Sequence, residues 1–99
     1  MKEEISANDL KRILKDNKDV ILIDVRSRQE YMEGHLSGSI SIPSYEISQK
    51  IQDIVKNKNA MIVVYCQYGT RGMKAVNTLK KLGYTNIYNL KKGLEGIRY

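Results

Sequence analysis

An α/β fold, with a mainly parallel sheet flanked by helices on both faces, is predicted by two observations. Two short unbroken apolar runs, residues 20–23 and 61–65, are each closed by turn signals, the pattern of strands buried on both faces. Around them, apolar residues recur at helical spacing: Leu10, Ile13 and Leu14, then Ile47, Ile51, Ile54 and Val55, then Ala75, Val76, Leu79 and Leu82. Strands alternating with helices at this interval place helices over a parallel sheet.

In chain order, residues 2–5 read as a short edge strand. Ser6 is a helix N-cap with Asp9 three residues on, close to a capping box. A first helix follows over residues 7–16, with a turn at 17–19. The first buried strand ends in Asp24-Val25-Arg26. The carboxyl end of a central strand is where open α/β sheets place their sites. Asp24 is expected to hold a loop or pair with a basic group. Ser27 and Glu30 make a second capping box, opening a short helix through Tyr31 and Met32. Gly34 to Gly38 form a loop around His35, the only histidine. Residues 39–42 alternate polar and apolar, as a short strand does, and Pro43 ends them. Ser44 is read as the cap of the helix carrying Ile47 and Ile51. After the second buried strand and its helix, Gly83 is placed as a C′ glycine. A last strand within residues 85–90 and a turn from Gly93 complete the chain.

The organising stretch joins the second buried strand to the helix after it. The apolar run stops at Cys66, the single cysteine, and four residues separate Cys66 from Arg71. Cys66 is thereby placed in a tight loop feeding a helix N-terminus. Inward-pointing loop amides form an anion-binding nest, and the first helical N–H groups lack intrahelical partners. The helix dipole adds positive character, and Arg71 adds a full charge with a forked donor set. Such a cradle favours a thiolate, a persulfide anion or a bound oxyanion over a neutral thiol.

Cys66-Gln67-Tyr68-Gly69-Thr70-Arg71 resembles the C-x-x-G-x-R active-site loop of the rhodanese-like sulfurtransferases. Asp24-Val25-Arg26 with Glu30-Tyr31 is similar to the family's D-V-R-x-x-x-E-Y segment. Gly34-His35-Leu36-Ser37-Gly38-Ser39-Ile40 with Ile42-Pro43 resembles its G-H-I-x-G-A-x-x-I-P segment, and Asn89-Leu90 with Gly93 its final strand and glycine turn. The resemblance runs over residues 5–99, and implies a five-stranded sheet in one domain over residues 1–99. It implies that Cys66 is the nucleophile, taking a sulfane sulfur from a small anionic donor such as thiosulfate. A thiol, cyanide or a sulfur-carrier protein then accepts that sulfur. Gln67, Tyr68, Gly69, Thr70, Arg71 and Gly72 form the cradle, with Arg71 on the anionic donor. Asp24, Arg26 and His35 are supporting residues, His35 in a structural loop rather than a Cys–His dyad. Where the family carries paired glycines and then a tryptophan, this chain has Lys92-Gly93 and Ile97.

The alternatives are a non-catalytic rhodanese-like binding module and a cysteine-dependent phosphatase or arsenate reductase. The phosphatase loop is one residue longer, which leaves room for a tetrahedral phosphate that this loop lacks. One cysteine excludes an intrachain disulfide, and no Cys/His cluster supplies metal ligands. No cofactor is implied. A reactive thiol, a charged start and no long apolar stretch point to the cytoplasm and away from a membrane. The net charge of +6 comes from 17 basic and 11 acidic residues. The lysines are scattered and no nucleic-acid motif accompanies them, which points to a solvated surface rather than nucleic-acid binding.

Overall fold

Alternation of side chains along the buried strands decides the layering. In the computed structural model, which describes residues 3–17 and 19–97, the strands are β1 (Glu4–Ile5), β2 (Ile21–Asp24), β3 (Ile40–Ser41), β4 (Ile62–Tyr65) and β5 (Ile87–Leu90). They form one sheet of order β1-β5-β4-β2-β3, with every neighbouring pair parallel. Ile62, Val64 and Cys66 face one side of β4, while Val63 and Tyr65 face the other. The helices are α1 (Ala7–Asp16), α2 (Arg28–Glu33), α3 (Ile47–Ile54) and α4 (Thr70–Lys81). The first face is closed by Ile47, Ile51, Ala75, Val76 and Leu79 of α3 and α4, and the second by Leu10 of α1 with Leu36, Leu94 and Ile97. Each fully buried aliphatic side chain contributes about 1.5–3 kcal/mol. The predicted α/β architecture, with its parallel sheet and helices on both faces, is the one observed.

Chain direction sets where the site falls. β3 lies on one side of β2, and β4 with all later pairing lies on the other. The strand order therefore reverses between β2 and β4, opening a crevice at their carboxyl ends. Asp24 ends β2, and Cys66 directly follows β4.

The local signals act as read at several ends. Ser6 accepts from Asp9 N at 3.0 Å. Ser27 and Glu30 make a reciprocal capping box. At the end of α4, Gly83 (φ 96°) donates to Lys80 O and Tyr84 N donates to Leu79 O, the paired bonds of a Schellman motif. The predicted edge strand begins at Lys2, outside the described residues.

Two expectations are corrected. Ser44 does not cap α3: its amide donates to Val25 O, and residues 44–46 form a 3-10 turn that runs directly into the helix. That turn leaves the helix start no separate cap to make. Ile54 is 44% exposed, because α3 packs through Ile47 and Ile51 while Val55, leaving the helix in extended conformation, takes the buried place. The expected short strand is present as β3, with Ser39 buried just before it and Ile40 exposed. β3 is an edge strand, and Ser39 is drawn inward by hydrogen bonds to Leu36 O (2.7 Å) and the Tyr65 hydroxyl (3.0 Å).

That hydroxyl also accepts from Leu36 N at 3.0 Å, and burial pushes the Tyr65 phenol up to about 12. Tyr65→Phe strands these partners and is expected to cost about 1–2 kcal/mol. Urea unfolding checks this: the midpoint should fall with the slope unchanged. An unshifted midpoint would show that the hydroxyl adds nothing.

Candidate active site

The loop after β4 turns because Gly69 adopts φ 107°, a conformation that side chains other than glycine rarely take. The chain then folds back over its own cysteine. Cys66 Sγ accepts from Gly69 N at 3.0 Å and from Gly72 N at 3.3 Å. Gly72 is the third residue of α4, and no side-chain oxygen caps this helix. The cysteine sulfur therefore stands where a capping oxygen usually does, meeting an amide with no intrahelical partner. Cys66 is 1% exposed. Of the amides in the expected cradle, those of Gly69 and Gly72 reach the sulfur.

Two segments support the loop from below. Cys66 O accepts from Leu94 N at 3.0 Å, and Gln67 O accepts from Glu95 N at 3.1 Å. A Cβ on Gly93 (φ 57°) would lie 2.3 Å from Cys66 O, so this contact requires a glycine. Lys92, where the family motif carries its first paired glycine, holds the same left-handed backbone at φ 65°. The C-terminal turn thus takes two successive left-handed residues with a lysine at the first of them. The other support is Asn89, fully buried in β5, whose Nδ2 donates to Gly69 O at 3.1 Å. A Cβ on Gly72 would lie 1.9 Å from Asn89 Oδ1. Among the predicted site residues Asn89 was missing. The available signal was a polar residue inside an otherwise apolar strand.

The charged residues fall into two pairs. Arg26 Nη2 donates to Asp24 Oδ2 at 2.7 Å and to Gly34 O at 2.6 Å, and Asp24 Oδ1 takes the Arg26 amide at 2.9 Å. Arg26 Nη1 reaches Gln67 Oε1 at 3.4 Å. Asp24 thus pairs with a basic group at the strand end, and through Arg26 touches the cysteine loop. Arg71, expected to face an anionic donor, is held in a fork by Glu30: Nη1 to Oε1 at 2.7 Å and Nη2 to Oε2 at 3.1 Å. The Arg71 hydrogen bond, then the capping contacts of Ser27, bring the Glu30 carboxyl down to about 2, and Glu30 in turn raises Arg71.

The remaining residues sit at the rim. Gln67 is half-buried and donates to Glu95 Oε2 at 2.8 Å. Tyr68 is 70% exposed, and Thr70 is exposed at the start of α4. His35 is exposed, stacks on Tyr31 with ring centroids 3.7 Å apart, and has Nδ1 2.8 Å from Tyr31 O. Its described contacts are to α2 and none is to Cys66. Among the described residues no group of His, Cys, Asp and Glu is arranged to hold a metal ion, and no helix is long and apolar enough to cross a membrane.

The cysteine sulfur, buried under two amides, lies at the strand-order reversal of a parallel sheet, where open α/β sheets place their ligands. Known proteins resemble the chain over nearly its whole length. Residues 6–98 match the Rhodanese-like domain family. A sulfurtransferase of Allochromatium vinosum is 31% identical over 94 residues, covering 95% of this chain and 86% of that protein. The thiosulfate sulfurtransferase PspE of Escherichia coli is 37% identical over 67 residues, covering 68% and 64%. The human single-domain sulfurtransferase TSTD1 superposes with a TM-score of 0.85 at 26% identity, covering 97% of this chain and 95% of that one. The chain belongs to the rhodanese-like family.

Gly93→Ala should push the C-terminal turn off the loop, costing about 1–3 kcal/mol. It should also alter the rate of Cys66 alkylation by iodoacetamide. Unchanged stability and alkylation would separate the turn from the loop. Glu30 sets an acid dependence. Its carboxyl lies below the ordinary 4.5, so the Arg71 pair contributes fully above that pH and is lost as pH falls toward 2. The stability difference between the native chain and Glu30→Gln should be constant above pH 5 and shrink across that window, about pH 5 to 2. A pH-independent difference would mean that the pair does not stabilise the fold.

Proposed function

We propose that the chain is a sulfurtransferase of the thiosulfate sulfurtransferase type, carrying a sulfane sulfur on Cys66 from a small anionic donor to a thiol, cyanide or sulfur-carrier acceptor. The observation that carries this reading is the Cys66 sulfur held by the amides of Gly69 and Gly72. The name of the E. coli relative supports thiosulfate as donor.

In the first half-reaction the Cys66 thiolate attacks the outer sulfur of thiosulfate. The S–S bond of the donor breaks, its electron pair leaves with sulfite, and Cys66 becomes a persulfide anion. In the second, cyanide attacks the terminal sulfur, thiocyanate leaves, and the thiolate returns. Charge balances in both steps, and no redox partner is consumed. The Gly69 and Gly72 amides favour the anionic sulfur in each resting state. Gly69 supplies the turn, Thr70 opens the helix, and Gln67 and Tyr68 line the approach. Arg71 meets the sulfonate end of the donor when Glu30 yields it. Asp24 and Arg26 hold the crevice wall, while His35 braces the loop beside α2.

Intact-protein mass spectrometry tests the cycle. Thiosulfate should add one sulfur atom, cyanide should remove it, and Cys66→Ser should gain none. Turnover retained in Cys66→Ser would remove Cys66 as the nucleophile.

A further inference from the structure

The formal charges beside Cys66 cancel, although the chain carries +6 overall. Asp24 neutralises Arg26 and Glu30 neutralises Arg71. The two pairs differ in freedom. The first is buried, with side chains 6% and 0% exposed, and the spare Arg26 donors go to Gly34 O and Gln67. The second is partly open to solvent, at 38% and 32%, so an incoming anion can reach it.

Glu30 does not depend on Arg71 for its position. Its Oε1 also accepts from Ser27 N at 3.1 Å, and its amide donates to Ser27 Oγ at 3.2 Å, closing the capping box of α2. The carboxylate is therefore preset on the fork that a sulfonate group would occupy. Arg71 belongs to the same loop as Cys66, one residue before the Gly72 whose amide reaches the sulfur, and its fork is the guanidinium of this crevice open to solvent. A doubly charged donor must displace Glu30 or bind against its charge. A donor whose sulfane sulfur rides on an uncharged carrier meets neither obstacle.

We propose that Glu30 is a specificity-determining residue: by holding the Arg71 fork it raises the KM for doubly charged donors such as thiosulfate, which must displace it, and leaves persulfides on uncharged or singly charged carriers without that handicap. This rests on the sulfur-transfer reading above. With a persulfide donor R–S–SH, the Cys66 thiolate attacks the outer sulfur. The donor S–S bond breaks, the carrier leaves as the thiolate R–S⁻, and Cys66–S–SH forms with atoms and charge balanced.

Glu30→Gln tests it, because glutamine completes the same capping box without the charge. The readout is kcat and KM for thiosulfate and for freshly generated 2-hydroxyethyl persulfide. The variant should raise kcat/KM for thiosulfate about fivefold, through KM, the size of a partly exposed ion pair released to a substrate. The persulfide value should stay within about twofold. Arg71→Ala should abolish the effect of adding Glu30→Gln. Equal changes for both donors, or an unchanged ratio, would overturn the proposal as a mere packing effect. If neither donor transfers sulfur in any variant, the sulfur-transfer reading falls. The charge role is then decided by sulfate protection of Cys66 against iodoacetamide, where tighter protection in Glu30→Gln supports it and equal protection overturns it.

Discussion

Asp24 is fully buried at the end of a central strand, and a carboxylate in that position must be met by positive charge and hydrogen bonds. Arg26 meets it, and the geometry of that meeting organises the surrounding crevice. The guanidinium lies over the strand end and spends its remaining donors on Gly34 O and Gln67. Three chain segments, the end of β2, the end of α2 and the cysteine loop, are thereby referenced to one buried pair. Breaking it by removing one partner would leave an uncompensated charge in the crevice, a far larger loss than any surface pair represents.

The cysteine loop is built against that wall from backbone rather than side chains. Gly69 turns it, Gly93 admits the carbonyl of Cys66, and Gly72 makes room for Asn89. The side chains lie at the rim, where Tyr68, Gln67, Glu30 and Arg71 meet solvent.

The fold was legible because its signals are local. Two apolar runs, the caps at Ser6 and Ser27, and the glycine at 83 each act through neighbours within a few residues. The position of Cys66 was legible for the same reason, since an apolar strand, a glycine turn and a helix start follow one another directly. What escaped was long-range. Glu30 was read as a cap and as part of a family segment with no partner assigned, and its grip on Arg71 joins residues 41 apart in sequence, a distance no periodicity encodes. Asn89 was read as part of a strand motif, although its polar side chain in an apolar strand marks a carbonyl needing a donor. Ser44 failed for a subtler reason: a good capping residue has no effect where a 3-10 turn already feeds the helix. Ile54 kept the right spacing but ends the helix, and Val55, already extended, takes the buried place instead.

The position of the Cys66 sulfur at the start of α4 has a thermodynamic corollary. An atom that closes a helix end belongs to the folding equilibrium, so whatever changes its charge or its substituent also changes the free energy of unfolding. Chemical state and conformational stability are linked variables here, each measurable through the other. An alkylated or oxidised sulfur at this position therefore shifts the unfolding midpoint of the domain.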